Sequence, residues 1–208
     1  MNVKAEEAAA IGVPYLAALS ALEVAAKLKS GETVLVTGAS GAVGRAATQI
    51  AHWKGARVIG ASRSSDNPYG ADAIINTIAQ DLVSEAHQLT GGTGVDVVLD
   101  VVGGPLFEKC LAALCHGGRQ VAISSNPPVV SLNLVEFYHK QLQLFGVDTM
   151  GLSGLEVATL LNHLRDGFEE GVLTPPDIHS WAFDAAPKAY EMVADGSSAR
   201  KQVLLLGN

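Results

Sequence analysis

Gly38, Gly41 and Gly44 stand three residues apart in the stretch Thr33-Val34-Leu35-Val36-Thr37-Gly38-Ala39-Ser40-Gly41-Ala42-Val43-Gly44. Without side chains at those points a diphosphate can come close to main-chain N–H groups, and the start of a following helix adds partial positive charge. The chemistry on offer is anion binding by backbone, through Gly38, Ala39, Ser40, Gly41, Ala42, Val43 and Gly44. A tight turn holding no ligand would carry the same glycines, so the surrounding residues have to decide.

Three rival glycine motifs fail by position. A mononucleotide loop would need glycine at Ala39, lysine at Arg45 and a hydroxyl at Ala46. A nucleophile elbow centred on Ser40 would need glycine at Ala42, and so would the short-chain dehydrogenase turn. That family's Tyr with Lys four residues on does not occur either. What remains is a dinucleotide turn with its first glycine replaced, Ala39-x-Gly41-x-x-Gly44.

The second informative place is the tip of the next apolar run, Ala56 to Ala61. An NAD-preferring site puts Asp or Glu about twenty residues beyond the turn, where it grips the ribose hydroxyls. Here Ser62, Arg63, Ser64 and Ser65 follow. A carboxylate would repel a 2′-phosphate, whereas an arginine among hydroxyls can bind one through charge-assisted hydrogen bonds, so Ser62, Arg63 and Ser64 favour NADP.

These residues need elements to hold them. Val34 to Val36 is continuous and apolar, as in a strand covered on both faces. Val43, Ala46, Ala47, Ile50 and Ala51 then recur on one helix face. Upstream, residues 6–14 read as a turn and Tyr15 to Leu28 as a helix. Downstream, strands are expected at Ala73 to Ile75, Val95 to Asp100, Gln120 to Ile123 and Leu142 to Val147. The helices between them run from Ile78 towards Thr90, from Leu106 to Leu114 and from Leu134 to Lys140. The link from the second to the third strand is short, as though most of a crossover helix were lost. A helix through Val157 to Phe168, a strand at His179 to Phe183, a helix capped by Asp184 and a strand at Gln202 to Leu206 close the chain. The alternation implies an α/β fold, a Rossmann-type doubly wound parallel sheet with helices on both faces and ligands at the carboxyl ends of its strands.

Composition narrows the function classes. Of 208 residues 48% are hydrophobic and 17% charged, enough for a buried core, and the formal charge of −7 argues against nucleic acid as a partner. No apolar run is expected to reach the length of a membrane span, and Glu6 and Glu7 interrupt a signal-like start, so a cytoplasmic protein is expected. Cys110 and Cys115, five apart in what reads as one helix, suit neither a disulfide nor a metal pair; the six histidines form no cluster, and no metal site is expected.

Taken together, the stretch 32–44, Gly70-Ala71-Asp72 with Ile75-Asn76, residues 90–104, Gly117-Gly118-Arg119 and the ending from Gly196 to Leu206 resemble the medium-chain dehydrogenase/reductase family. The likeness is to its zinc-independent quinone oxidoreductase and enoyl reductase branch. The resemblance implies an NADPH-dependent reductase of quinones or α,β-unsaturated carbonyl compounds, acting as a homodimer joined through its nucleotide-binding domains. It also implies that the nicotinamide passes Val101, Val102, Gly103, Ile123 and Ser124; no acid or base residue is nominated.

Three parts are expected: a helical lead-in over residues 1–30, an NADP-binding domain over 31–150, and C-terminal helices and strands over 151–208. Family members begin with a GroES-like β domain that supplies half of the active-site cleft, and this chain is expected to start after it. The last two strands would normally complete that domain's sheet. Ala17 stands where relatives often have threonine, Thr77 where many have tyrosine, and Ser197 where arginine is common, which implies weakened coenzyme affinity. A catalytically silent nucleotide-binding or dimerisation module is the alternative.

Overall fold

The computed structural model describes residues 3–66, 70–196, 198 and 200–207. Its core is a six-stranded sheet in the order β3-β2-β1-β4-β5-β6, with every neighbouring pair parallel. The strands are β1 (Thr33–Thr37), β2 (Arg57–Ser62), β3 (Ala73–Asn76), β4 (Val95–Asp100), β5 (Leu114–Ala122) and β6 (Gln143–Gly146). Helices alternate with them: α1 (Ala5–Leu19), α2 (Ala42–Trp53), α3 (Leu82–Leu89), α4 (Phe107–Ala113), α5 (Leu134–His139) and α6 (Gly154–Glu169). The strand order reverses between β1 and β4, which opens a crevice at their carboxyl ends.

Side-chain alternation along the strands explains why both faces are covered. Val34 and Val36 of β1 join Val58, Leu99 and Val121 in a core packed against α1, α2 and α6 through Leu19, Leu22, Ile50 and Leu164. Leu35, between them, points the other way with Ile59 and Val98, onto Leu82 and Ala86 of α3 and Cys110 and Leu111 of α4. All three β1 side chains are fully buried, each contributing about 1.5–3 kcal/mol.

The lead-in differs from the expectation of a turn and then a helix. Residues 5–19 form one helix that runs on through a π-type turn at Ser20–Ala25, where Ala26 N donates to Ala21 O at 2.9 Å. Pro14 sits inside it. Loss of one amide donor is outweighed locally by burial of Ile11, Tyr15, Leu19 and Leu22 in the core that this helix shares with α2 and α6. This helix, Ala5–Ala25, is also 21 residues long and contains an 18-residue window with a mean hydropathy of 1.6, so the expectation that no run reaches membrane-span length is corrected. More than half of it is buried inside the protein.

Other boundaries move for identifiable reasons. Asp81 caps α3, accepting from Ser84 N at 3.0 Å, which leaves Ile78 outside the helix and exposed. Cys110 and Cys115 do not share a helix: α4 stops at Ala113 and Cys115 lies in β5, which is longer than expected and shifts register against β4 between Val95 and Val97. Among the described residues between β2 and β3 there is no helix, and Asn67, Pro68 and Tyr69 lie outside them. Ser197 lies outside them as well.

Toward the C-terminus, α6 starts with Ser153 and Glu156 capping one another. Strands β7 (Ile178–Ala182) and β8 (Lys201–Leu205) pair in parallel as a sheet of their own, linked by α7 (Ala186–Ala194). A short 3-10 turn at Phe183–Ala185 precedes α7, so Ala185 and not Asp184 is its N-cap residue.

Candidate functional site

The turn from β1 to α2 is built by close backbone approach. Gly41 N donates to Gly38 O at 2.8 Å, and Gly38 has a φ of +58°. A Cβ on Gly44 would stand 2.3 Å from Gly38 O and 2.6 Å from Ala39 Cα, so only glycine lets the first turn of α2 lie against this bend. A Cβ on Gly41 would stand 3.2 Å from Gly38 O. No side chain caps Gly41, and the amides of Ala42, Val43 and Gly44 have no partners within the helix. Ser40, just before this helix start, is exposed.

Ala39, where a dinucleotide turn ordinarily has glycine, is buried. Its methyl occupies room left by Gly60 of β2, where a Cβ would come within 2.9 Å of Ala39 Cβ. Ala39 N also donates to Ala61 O at 3.1 Å, tying the turn to the neighbouring strand. The replacement is therefore accommodated from below, without closing the mouth.

The three carboxyl-edge turns come together around β1. A Cβ on Gly38 would meet Val101 Cγ2 at 2.8 Å and Val102 Cγ2 at 3.3 Å, and one on Gly103, at φ +64°, would meet Ser124 O at 2.4 Å. Thus 38–44, 101–103 and 123–124 line one continuous edge. Ser62 lies one residue past Ala61 on its other side, but it is buried, and its hydroxyl donates to Ser64 O and accepts from Ser64 N within the same loop. Thr77 N and Thr77 Oγ1 both donate to Ser62 O, at 2.8 and 3.1 Å. Arg63 and Ser64 are exposed at the tip, and Ala17 is buried in α1.

A buried polar relay organises this edge, and residue types and spacing alone did not single it out. Thr37 Oγ1 donates to Asp100 Oδ1 at 2.8 Å, and Val101 N donates to Thr37 Oγ1 at 2.9 Å. Val102 N and Gly103 N donate to the same carboxylate oxygen at 3.2 and 2.9 Å, and Gln120 Nε2 approaches Asp100 Oδ2 at 3.4 Å. Thr37, Asp100 and Gln120 are all fully buried. Each stands at or inside an apolar strand, and that is the only trace of the relay along the chain. Nearby, burial above all, and then the Asp100 carboxylate, push the Cys110 thiol well above its usual range.

Behind the edge a second network fixes α1 on α2. Tyr15 Oη donates to Thr174 O at 2.5 Å and accepts from Gln49 Nε2 at 3.0 Å, while Gln49 Oε1 accepts from Thr174 N at 2.7 Å. Burial pushes the Tyr15 phenol up to about 12, against smaller opposing effects of Gln49 and Arg45.

Residues 42–164 match a family described as zinc-binding dehydrogenase. The human quinone oxidoreductase is 30% identical over 206 residues, covering 97% of this chain and 62% of that protein. This chain therefore spans about three fifths of the length of the curated relatives it matches. Among solved structures, a quinone oxidoreductase of Pseudomonas syringae pv. Tomato DC3000 superposes with a TM-score of 0.85 at 25% identity, over 98% of this chain and 66% of that one. An NAD-dependent alcohol dehydrogenase superposes with a TM-score of 0.85 at 31% identity, over 99% and 60%. Among the described residues no three His, Cys, Asp or Glu side chains are grouped to hold a metal ion.

Proposed function

Because the chain belongs to the zinc-binding dehydrogenase family, a branch of the medium-chain dehydrogenase/reductases, we propose that it is the coenzyme-binding part of an NADPH-dependent oxidoreductase that reduces quinones or α,β-unsaturated carbonyl compounds. The observation that carries this reading is the bend at Gly38–Gly44. Backbone atoms there approach too closely for any side chain at Gly44, and an uncapped helix start opens onto the crevice at the sheet's switch point.

When bound, the coenzyme supplies a hydride. The chain's own residues position it: amides of Ser40, Ala42, Val43 and Gly44 hold the diphosphate, Arg63 and Ser64 receive the 2′-phosphate while the buried Ser62 hydroxyl fixes their loop, and Val101, Val102, Gly103, Ile123 and Ser124 flank the nicotinamide. Residues 31–150 form the binding part on this reading, and residues 151–208 serve the catalytic half of the whole protein. The quinone or enone assignment draws support from relatives that carry the name quinone oxidoreductase. A homodimer joined through the nucleotide-binding domains belongs to the same proposal, with β6 at the edge of the sheet.

Titration with NADPH and NADH, followed by nicotinamide fluorescence, tests the reading. NADPH is expected to bind more tightly, and Arg63→Ala is expected to abolish that preference. Equal affinities untouched by the substitution would remove Ser62, Arg63 and Ser64 from the site. A second reading, a nucleotide-binding or dimerisation module without turnover of its own, rests on one observation: Val101, Val102, Ile123 and Ser124 supply no acid or base. Oxidation of bound NADPH by 1,4-naphthoquinone would exclude it.

A further inference from the structure

Asp100 is the one acidic residue among the fully buried side chains of the described core, and none of the ion pairs in the described residues includes it. All its side-chain partners, Thr37 Oγ1, Val102 N, Gly103 N and Gln120 Nε2, donate to it, which suits a carboxylate that only accepts. A charge in such surroundings is costly to keep and is screened little by salt. Its effect on the edge can be worked out from the backbone. Val101 N, Val102 N and Gly103 N all turn inward, to Thr37 or Asp100. In a trans peptide the carbonyl points opposite to the amide of the next residue, so the Val101 and Val102 carbonyls point away from the carboxylate. Carboxylate and carbonyl oxygens therefore present negative potential along one turn.

We propose that Asp100 is a positioning and charge-setting residue, whose buried negative charge under the Val101–Gly103 turn favours the oxidised, cationic nicotinamide over the reduced, neutral one. The inference rests on the coenzyme reading above. Hydride transfer breaks the C4–H bond of the reduced ring; both electrons leave with the hydrogen to the quinone or enone, and the ring is left with one positive charge. A fixed negative charge beside that ring makes the bound reduced coenzyme a stronger hydride donor, an electrostatic contribution that needs no movement at the moment of transfer.

The test is calorimetric titration of the chain with NADPH and, separately, with NADP⁺. Asp100→Asn keeps the shape of the side chain. Gln120 can rotate its amide so that Oε1, which is buried without a hydrogen-bond partner, accepts from the new amide. The ratio of the NADP⁺ dissociation constant to that of NADPH is expected to rise by roughly tenfold or more in this variant, the size of one charge acting over about 12 Å at an effective dielectric of about 20. Thr37→Val loosens the same turn without removing the charge; it is expected to weaken both coenzymes alike and leave the ratio in place. If Asp100→Asn does not fold, Asp100→Ser, smaller and likewise uncharged, is expected to move the ratio in the same direction. Wild-type chain that binds neither coenzyme would withdraw the coenzyme reading and this inference together. Binding of both with an unmoved ratio in the folded charge variant, or an equal shift in Thr37→Val, would overturn the inference alone.

Discussion

Ala39 and Gly60 share one space: a Cβ placed on Gly60 would lie 2.9 Å from the Ala39 methyl, so the turn can carry an alanine because the strand beside it has a glycine at position 60. Gly60→Ala is expected to cost about 1–3 kcal/mol in urea unfolding, as overpacking in a closed core does. Adding Ala39→Gly should recover part of that cost, although Ile74 Cδ1, at 2.7 Å, also has to move. Strictly additive effects of the two changes would show that the pair does not share the space.

Gly44 and Gly41 separate packing from binding. Gly44→Ala sets a methyl 2.3 Å from a backbone oxygen that cannot rotate away. It is expected to destabilise by roughly 2–4 kcal/mol and to eliminate NADPH binding. Gly41→Ala meets the same oxygen at 3.2 Å, so a milder stability loss is expected; replacement of Gly41 by a bulky residue should block NADPH binding by crowding the diphosphate. Fluorescence titration beside thermal unfolding checks the contrast, and unchanged binding in the bulky variant would clear Gly41 of contact with the coenzyme.

Thr37 joins the ends of β1 and β4 through one hydroxyl. Thr37→Val keeps the shape but leaves Val101 N without its acceptor and Asp100 with one donor fewer, a loss of roughly 2–3 kcal/mol by urea unfolding. Thr37→Ser, which retains the hydroxyl, should fall much closer to wild type. Equal losses for the two would place the effect in packing and not in the relay.

Tyr15 gives a pH signature. Its phenol is pushed from 10.0 up to about 12 by burial, so the folded state holds its proton where the unfolded chain has released it. The associated stability is complete below pH 10 and is lost as pH rises from 10 through 12. Tyr15→Phe should be less stable at neutral pH, because Gln49 Nε2 loses its acceptor, and should lack this part of the alkaline decline. Denaturant midpoints at pH 9 and pH 11 for both proteins decide the matter; parallel declines would assign the slope to other groups.

Much of the architecture is local in origin. Strands β1 and β4 stand where continuous apolar runs put them, and α2 follows the spacing of Val43, Ala46, Ala47, Ile50 and Ala51, because burial on both faces of a sheet writes itself into neighbouring residues. The glycine bend and its position before a helix were legible for the same reason. Pro14 was misleading: its local tendency to break a helix is overridden by burial of the residues around it. Cys115 was misplaced because the end of α4 and the register shift of β5 depend on a partner strand.

What the residue order determined by itself was the alternation of strand and helix, the bend at Gly38–Gly44 and the absence of a carboxylate at Ser62. Only the tertiary structure decided that Gly60 makes room for Ala39, that Asp100 gathers the amides of Val102 and Gly103, and that Ser62 turns its hydroxyl into its own loop. The physical reason is distance along the chain. Propensity and periodicity act over a few residues, whereas Thr37 and Asp100, 63 positions apart, meet only when the sheet closes between them.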